Sequence, residues 1–153
     1  MKHAKQVLCL AFLSAFLCWN GMAFSQSDQV PQNLQAQFAS EYPDAQDLDW
    51  NIEDGLYECE FYRDGLEMEV VYDESGMVIT RETGLAENDL PTEIKTYISQ
   101  NLNTLSFMEA SMTENGDDTF YEVDLEAAGV ETELLFDAKF KLVATQQESL
   151  LED

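Results

Sequence analysis

A chain of 153 residues with 31 Asp and Glu against 7 Lys and Arg, net charge −24, has room for one domain or two very small ones. That charge repels nucleic acid and anionic lipid, which excludes both as partners on physical grounds. Its one histidine, His3, stands among the first residues, which read as a segment to be removed.

Residues 1–25 have the layout of a secretory signal peptide. Lys2 and Lys5 form a basic start, Val7 to Trp19 an apolar run, and Ala23-Phe24-Ser25 a small-x-small site, so cleavage is expected after Ser25. The apolar run is shorter than the roughly 20 residues that a membrane-spanning helix needs. A lipid anchor on Cys18 would need a smaller residue than Leu17 before it. The expected product is a periplasmic or secreted protein, residues 26–153, with no membrane insertion after signal removal. It keeps five Lys and Arg against thirty-one Asp and Glu, a formal charge of −26. Loss of His3 removes histidine general bases, Ser–His and Cys–His nucleophile pairs and His-ligated metals. Cys9 and Cys18 leave as well, so Cys59 has no intrachain disulfide partner and reads as a buried, inert thiol.

Ser27–Tyr42 reads as a helix with its start: Pro31 suits a first turn, and Leu34, Phe38 and Tyr42 recur at spacing four. Pro43-Asp44 ends it. Leu48, Trp50 and Ile52 then alternate with acidic and amide residues as a half-buried strand, which makes Trp50 core rather than a sugar-stacking platform. Asp54-Gly55 signals a tight turn into Tyr57–Asp73, two strands joined at Arg63-Asp64-Gly65. Tyr57, Cys59, Phe61, Met68, Val70 and Tyr72 face one way; Glu58, Glu60, Glu67 and Glu69 face the other. Met77–Arg81 reads as a short fourth strand, and Thr83–Asp89 as a linker.

The order then begins again. Pro91, Ile94, Ile98 and Leu102 stand sixty residues after Pro31, Leu34, Phe38 and Tyr42, and Met108, Ala110 and Met112 sixty after Leu48, Trp50 and Ile52. From Tyr121 the displacement is sixty-four, so a four-residue insertion is expected to enlarge the turn at Asn115-Gly116-Asp117-Asp118. Phe140–Thr145 closes the second unit, and the rest is polar. The chain thus divides into a signal peptide (1–25), a first unit (26–84), a second unit (85–146) and a polar tail (147–153). The expected fold is α+β, two tandem helix-plus-four-strand units sharing one antiparallel sheet with the helices on its apolar face and the acidic face in water.

Val30-Pro31, Tyr42-Pro43-Asp44-Ala45, Trp50, Glu53-Asp54-Gly55, Tyr57-Glu58 and Glu67–Asp73 together resemble the PepSY-like modules of secreted bacterial proteins, also called beta-lactamase-inhibitor-like. Leu90-Pro91, Tyr121-Glu122 and Leu134–Asp137 resemble the same module, so the likeness covers nearly all of 28–143. The resemblance implies the fold of beta-lactamase inhibitory protein, with one continuous antiparallel sheet, and export by a Gram-negative bacterium. It does not imply beta-lactamase inhibition. That inhibitor has a disulfide in each unit, and none of its enzyme-contacting loops is matched here.

The candidate binding residues are the acidic sheet face: Glu58, Glu60, Glu67 and Glu69 with Tyr62 at the rim, and Glu122, Asp124, Glu131 and Glu133. Like charges opposed on a sheet destabilise it by a few tenths to about 1 kcal/mol per pair, which a positively charged partner would offset. Asp47, Asp49, Asn51, Glu53 and Glu58 copy the spacing of an EF-hand loop, but Ile52 stands where glycine is needed and the alternation makes a strand. Without a Gly-rich phosphate loop, CxxC or GxSxG motif, no catalytic residue, metal site or cofactor is expected. The leading expectation is a non-catalytic exported protein that binds a basic protein surface, possible roles including enzyme inhibition. The other is a structural or calcium- and cation-buffering envelope protein without a specific partner.

Overall fold

A computed structural model of the protein describes residues 26–102 and 104–150; the expected signal segment, with His3, Cys9 and Cys18, lies outside the described residues. After a 3-10 turn at Gln26–Gln29 comes α1 (Gln32–Glu41), then β1 (Gln46–Glu53), β2 (Leu56–Arg63), β3 (Leu66–Tyr72) and β4 (Val78–Gly84). A second 3-10 turn at Glu87–Asp89 leads to α2 (Thr92–Asn101), β5 (Ser106–Asn115), β6 (Asp118–Ala127), β7 (Val130–Asp137) and β8 (Leu142–Ser149). The strands form one antiparallel sheet in the order β1 to β8, an α+β architecture.

Both helices are too short to be stable alone and are held by packing. In α1, Leu34 and Phe38 are buried, with Val30 before the helix and Tyr42 after it, so spacing four keeps all of them on one side. The Tyr42 N–H donates to the Phe38 carbonyl, and Pro43 prevents further turns. In α2 the buried anchor is Ile94, preceded by buried Leu90. Each helix covers its own apolar cluster on the same face of the sheet. The first is aromatic: Phe38 meets Trp50 and Phe61 edge-on, and Tyr42 packs on Phe61. The second is mostly aliphatic, built from Ile94, Val123, Leu125 and Leu134, with Tyr97 edge-on to Phe136.

The turns fix the registers. Asp64 and Gly65 both have positive φ, as the two-residue turns that match strand twist require, and this sets Glu60 opposite Glu69. Asp54-Gly55 does the same for β1 and β2. One extra residue bulges out of β1 between Gln46 and Asp49, and another out of β5 between Phe107 and Glu109, sixty residues apart. The bulges break the alternation read from the sequence. Leu48 and Met108, expected on the apolar face, are each 45% exposed.

The four-residue insertion does not enlarge a loop. Asn115 pairs with Asp118 across a two-residue turn at Gly116-Asp117, and the ladder gains the rungs Glu114–Thr119 and Asn115–Asp118. The added length of β5 meets β4: of their five paired positions, Thr80–Asn115 and Arg81–Glu114 lie in the extension. Arg81 adds an ion pair to Glu114 at 3.9 Å, another to Glu41, and a 2.6 Å hydrogen bond from its Nε to the Tyr42 hydroxyl. Thr83, expected in a linker, is inside β4 and pairs with Met112. Gln147–Ser149, read as polar tail, continues β8 along β7.

Candidate functional site

The face of the sheet away from both helices carries the candidate residues, and strand pairing arranges them in two rows. In the first half, Asp49 lies opposite Glu60, Glu60 opposite Glu69, and Glu69 opposite Glu82, a line of four carboxylates across β1 to β4. In the second half, Glu109 lies opposite Asp124, Asp124 opposite Glu133, and Glu133 opposite Gln146. A third, shorter line, Glu126–Glu131–Glu148, runs along the rim. Asp49, Glu82 and Glu109 join these rows only through cross-strand pairing. Turn position and bulge are the sequence signals that carry it.

The same rows separate the sequence candidates. Glu60 and Glu69 face each other, as do Asp124 and Glu133, whereas Glu58 lies opposite Val71 and Glu122 opposite Leu135. Tyr62 pairs with Glu67 at the rim, 40% exposed, its hydroxyl donating to Glu67 Oε2 at 3.5 Å. Glu131 is flanked by Glu126 and Glu148, and Glu126 accepts a 2.7 Å hydrogen bond from the Gly129 N–H, which commits it to the β6–β7 turn. Beside the carboxylates runs an apolar border that the sequence reading left out: Leu56, Val71, Phe120 and Leu135, again paired at a displacement of sixty-four.

This face is less watery than its composition implies. Val71, Thr80 and Asp124 are 5%, 7% and 4% exposed, although neither helix packs there. Burial and then repulsion from Glu58 and Glu82 push the Glu69 carboxyl up to about 8. Burial, with Glu133 and Asp124 adjacent, does the same for Glu122, to about 8. Asp124 is raised to about 7 by burial and by Glu109, Glu131 and Glu133. Glu58, Glu60, Glu109 and Glu133 are also raised, first by burial. The expectation of an exposed acidic face holds for Glu60 and Glu67, whereas Glu58, Glu69, Glu122, Glu131 and Glu133 are half-buried and Asp124 is buried.

Among the described residues no basic side chain relieves them. Arg63 stacks on the Tyr42 ring and Arg81 joins Glu41, both on the helix side; Lys95 donates to the Asn88 carbonyl, and Lys139 and Lys141 stand by Asp137 in the β7–β8 turn. The carboxylate rows of this face therefore have no Lys or Arg of the described residues set among them. The carboxylate oxygens of Glu58, Glu60 and Glu69 come within 4.8 Å of one another. The EF-hand spacing, by contrast, runs from β1 across the Asp54-Gly55 turn to Glu58 in β2, a hairpin rather than a loop folded around an ion.

A family described as "Putative beta-lactamase-inhibitor-like, PepSY-like" matches residues 21–80 and again 77–144. Comparison with curated proteins gives no match. Among solved structures, a BLIP-like protein from Bacteroides fragilis is 24% identical, with a TM-score of 0.64 over 83% of this chain and 95% of that one. A "putative periplasmic" protein from Bacteroides eggerthii is 13% identical, with a TM-score of 0.69 over 78% and 90%. At these identities the likeness is one of fold. Among the described residues no helix is long and apolar enough to cross a membrane.

Proposed function

We infer a function from the premise that this chain belongs to the PepSY-like, beta-lactamase-inhibitor-like family. It is a non-catalytic exported binding protein, periplasmic or secreted after cleavage behind Ser25. Two tandem helix-plus-four-strand units, 26–84 and 85–146, each give one acidic row to a shared face that takes a basic protein surface. The observation that carries this reading is the segregation of charge. Two carboxylate rows stand in register on one face while the five cations of the exported chain lie elsewhere. Lysine or arginine side chains docking between the rows would relieve repulsion that the isolated fold leaves in place. Glu58, Glu60, Tyr62, Glu67 and Glu69 form one half of this surface, and Glu122, Asp124, Glu131 and Glu133 the other. The apolar border of Leu56, Val71, Phe120 and Leu135 gives a partner an anchor beside the charge. Enzyme inhibition is one role that such a surface could serve.

The test is capture from the source organism's envelope fraction with the wild type and with a Glu58, Glu60, Glu67, Glu69→Lys variant whose fold is checked by circular dichroism. One basic protein, retained by the wild type, released by about 0.5 M salt and lost by the variant, is the expected result. Equal background on both would overturn it. That outcome would favour the structural or cation-buffering reading, which the approach of Glu58, Glu60 and Glu69 supports.

A further inference from the structure

The two ends of the sheet are not alike. At one end β1 carries Asp47, Asp49 and Glu53, its ladder is broken between Gln46 and Asp49, and the 3-10 turn at Gln26–Gln29 packs against it. Charges, a bulge and a covering segment are the devices that keep an edge strand from pairing with another chain. At the other end the one register shift lies at the start of β8, beside Leu142, and the ladder then runs regularly from Ala144 to Ser149. Leu142–Gln147 is a run of six uncharged residues, whereas no other strand has more than four, at Ala110–Thr113 in β5. Every residue from Val143 to Ser149 is exposed, and no other strand of the described residues pairs on the far side of β8.

The fold already uses the equivalent edge once. β4 stands sixty-four residues before β8, with its register shift at the matching place, and its outer side pairs with β5 from Thr80 to Gly84. On β8 the Leu150 N–H donates to the Gly129 carbonyl. By the alternation of an antiparallel ladder, Ala144, Gln146 and Glu148 then turn their backbone groups to β7, and Thr145 and Gln147 turn theirs outward. We propose that β8 pairs antiparallel with β8 of a second copy across a two-fold axis at Gln146, joining two eight-stranded sheets into one. In that register Thr145 exchanges backbone hydrogen bonds with Gln147 of the partner subunit, and Ala144 lies opposite the partner subunit's Glu148. The two Glu148 residues stand about 14 Å apart along the strands, beyond the roughly 8 Å over which charges interact at physiological salt. Charge selects this occupant. A basic protein is drawn to the carboxylate rows, whereas a second copy is repelled wherever acids are exposed and meets least repulsion along an uncharged strand. The second copy's β1 is a poorer fit, because it is acidic and lacks the extension that gives β5 two of its five pairs with β4. Like edges joined by a two-fold axis also close the assembly at a dimer.

The test is sedimentation velocity of residues 26–153 from about 10 μM to about 1 mM, at low salt and at about 0.5 M salt. One strand pair is a small interface, so a dimer with a dissociation constant of roughly 10⁻⁵–10⁻³ M is expected. Salt should strengthen it by screening like charges, the reverse of its effect on a basic partner, so the two readings are told apart. Thr145→Pro removes an outward N–H and leaves the ladder to β7 intact, so it should stay folded and sediment as a monomer throughout. Gln146→Cys adds no backbone strain. Residues opposed in such a pair stand about 4.5 Å apart at Cα, within disulfide reach, and Cys59 is buried. Mild oxidation should therefore link Gln146→Cys into dimers at least tenfold faster than Asp117→Cys, placed in the exposed β5–β6 turn. A monomer mass at the highest concentration and salt, which would leave β8 to a strand of another protein, would overturn the proposal. So would a dimer that folded Thr145→Pro retains, or equal rates of crosslinking.

Discussion

Three buried groups are governed by what surrounds them rather than by residue type. Cys59 is fully buried between Glu58 and Glu60, and burial with nearby Asp49 pushes its thiol up to about 12. A thiolate is the reactive form, so Cys59 should resist iodoacetamide at pH 8 in the folded protein and react at once in denaturant. Labelling of the native chain at the rate of a free thiol would contradict this burial. The Tyr72 hydroxyl is buried without a hydrogen-bond partner beneath a ring stacked 6.3 Å from Trp50. Tyr72→Phe removes a polar group that contributes no bond, so unfolding free energy should stay level or rise by up to about 1 kcal/mol. A loss larger than that in urea titration would reveal a partner for the hydroxyl. Glu60 and Asp124 make the same point on the other face, where one methylene separates an exposed acid from a recessed one.

The seam between β4 and β5 is the element on which continuity of the sheet depends. Each apolar cluster lies on one side of it, so the seam is joined by backbone pairing and by Arg81, which reaches from β4 to Glu114 on β5 and to Glu41 and Tyr42 at the end of α1. Replacing Glu114–Thr119 by Asp-Gly would give the second hairpin the length of the first and delete two of the five β4–β5 pairs. The shortened protein should unfold in two calorimetric transitions instead of one, the halves separating along the seam. A single transition at the original temperature would show that the extension is dispensable. Gly84, at the end of β4, is fixed by contact: a Cβ there would sit 2.7 Å from the Glu67 carbonyl oxygen, so Gly84→Ala requires backbone movement.

For the whole molecule, the cost of the acidic face appears as pH dependence. Glu69 and Glu122 titrate at about 8 and Asp124 at about 7 in the folded protein, well above the ordinary carboxylate range near 4. Between roughly pH 4.5 and 8 the folded chain therefore holds protons that the unfolded chain has released, and stability falls as pH rises through that window. Asp73 and Asp137 work in the opposite sense. Each carboxylate accepts hydrogen bonds within its turn and is held below its usual range, so their contribution is lost on acidification below about pH 4. The melting temperature should peak near pH 5 and be lower at pH 8, by roughly 3–6 °C for each kcal/mol of repulsion. Salt should raise it at pH 8 and have little effect at pH 5. A melting temperature that rises steadily from pH 5 to 8 would contradict the arrangement.

Local pattern alone determined much of this protein. Spacing four in Leu34-Phe38-Tyr42, alternation in Tyr57–Tyr72, paired Asp-Gly turns and the return of the pattern after sixty residues specify the helices, hairpins and acidic face, because each depends on neighbours in the chain. What lay beyond reach depended on neighbours across strands. A bulge turned Leu48 and Met108 outward without any local signal, and the insertion became strand because β4 offered its added residues a partner. Glu82 joined Glu69, and Glu109 joined Asp124, only when register brought them together. Burial of Asp124, and with it the character of the second row, was decided by side chains on adjacent strands. The electrostatics of a carboxyl group depend on distance and solvent in three dimensions, which a linear sequence encodes only through the fold.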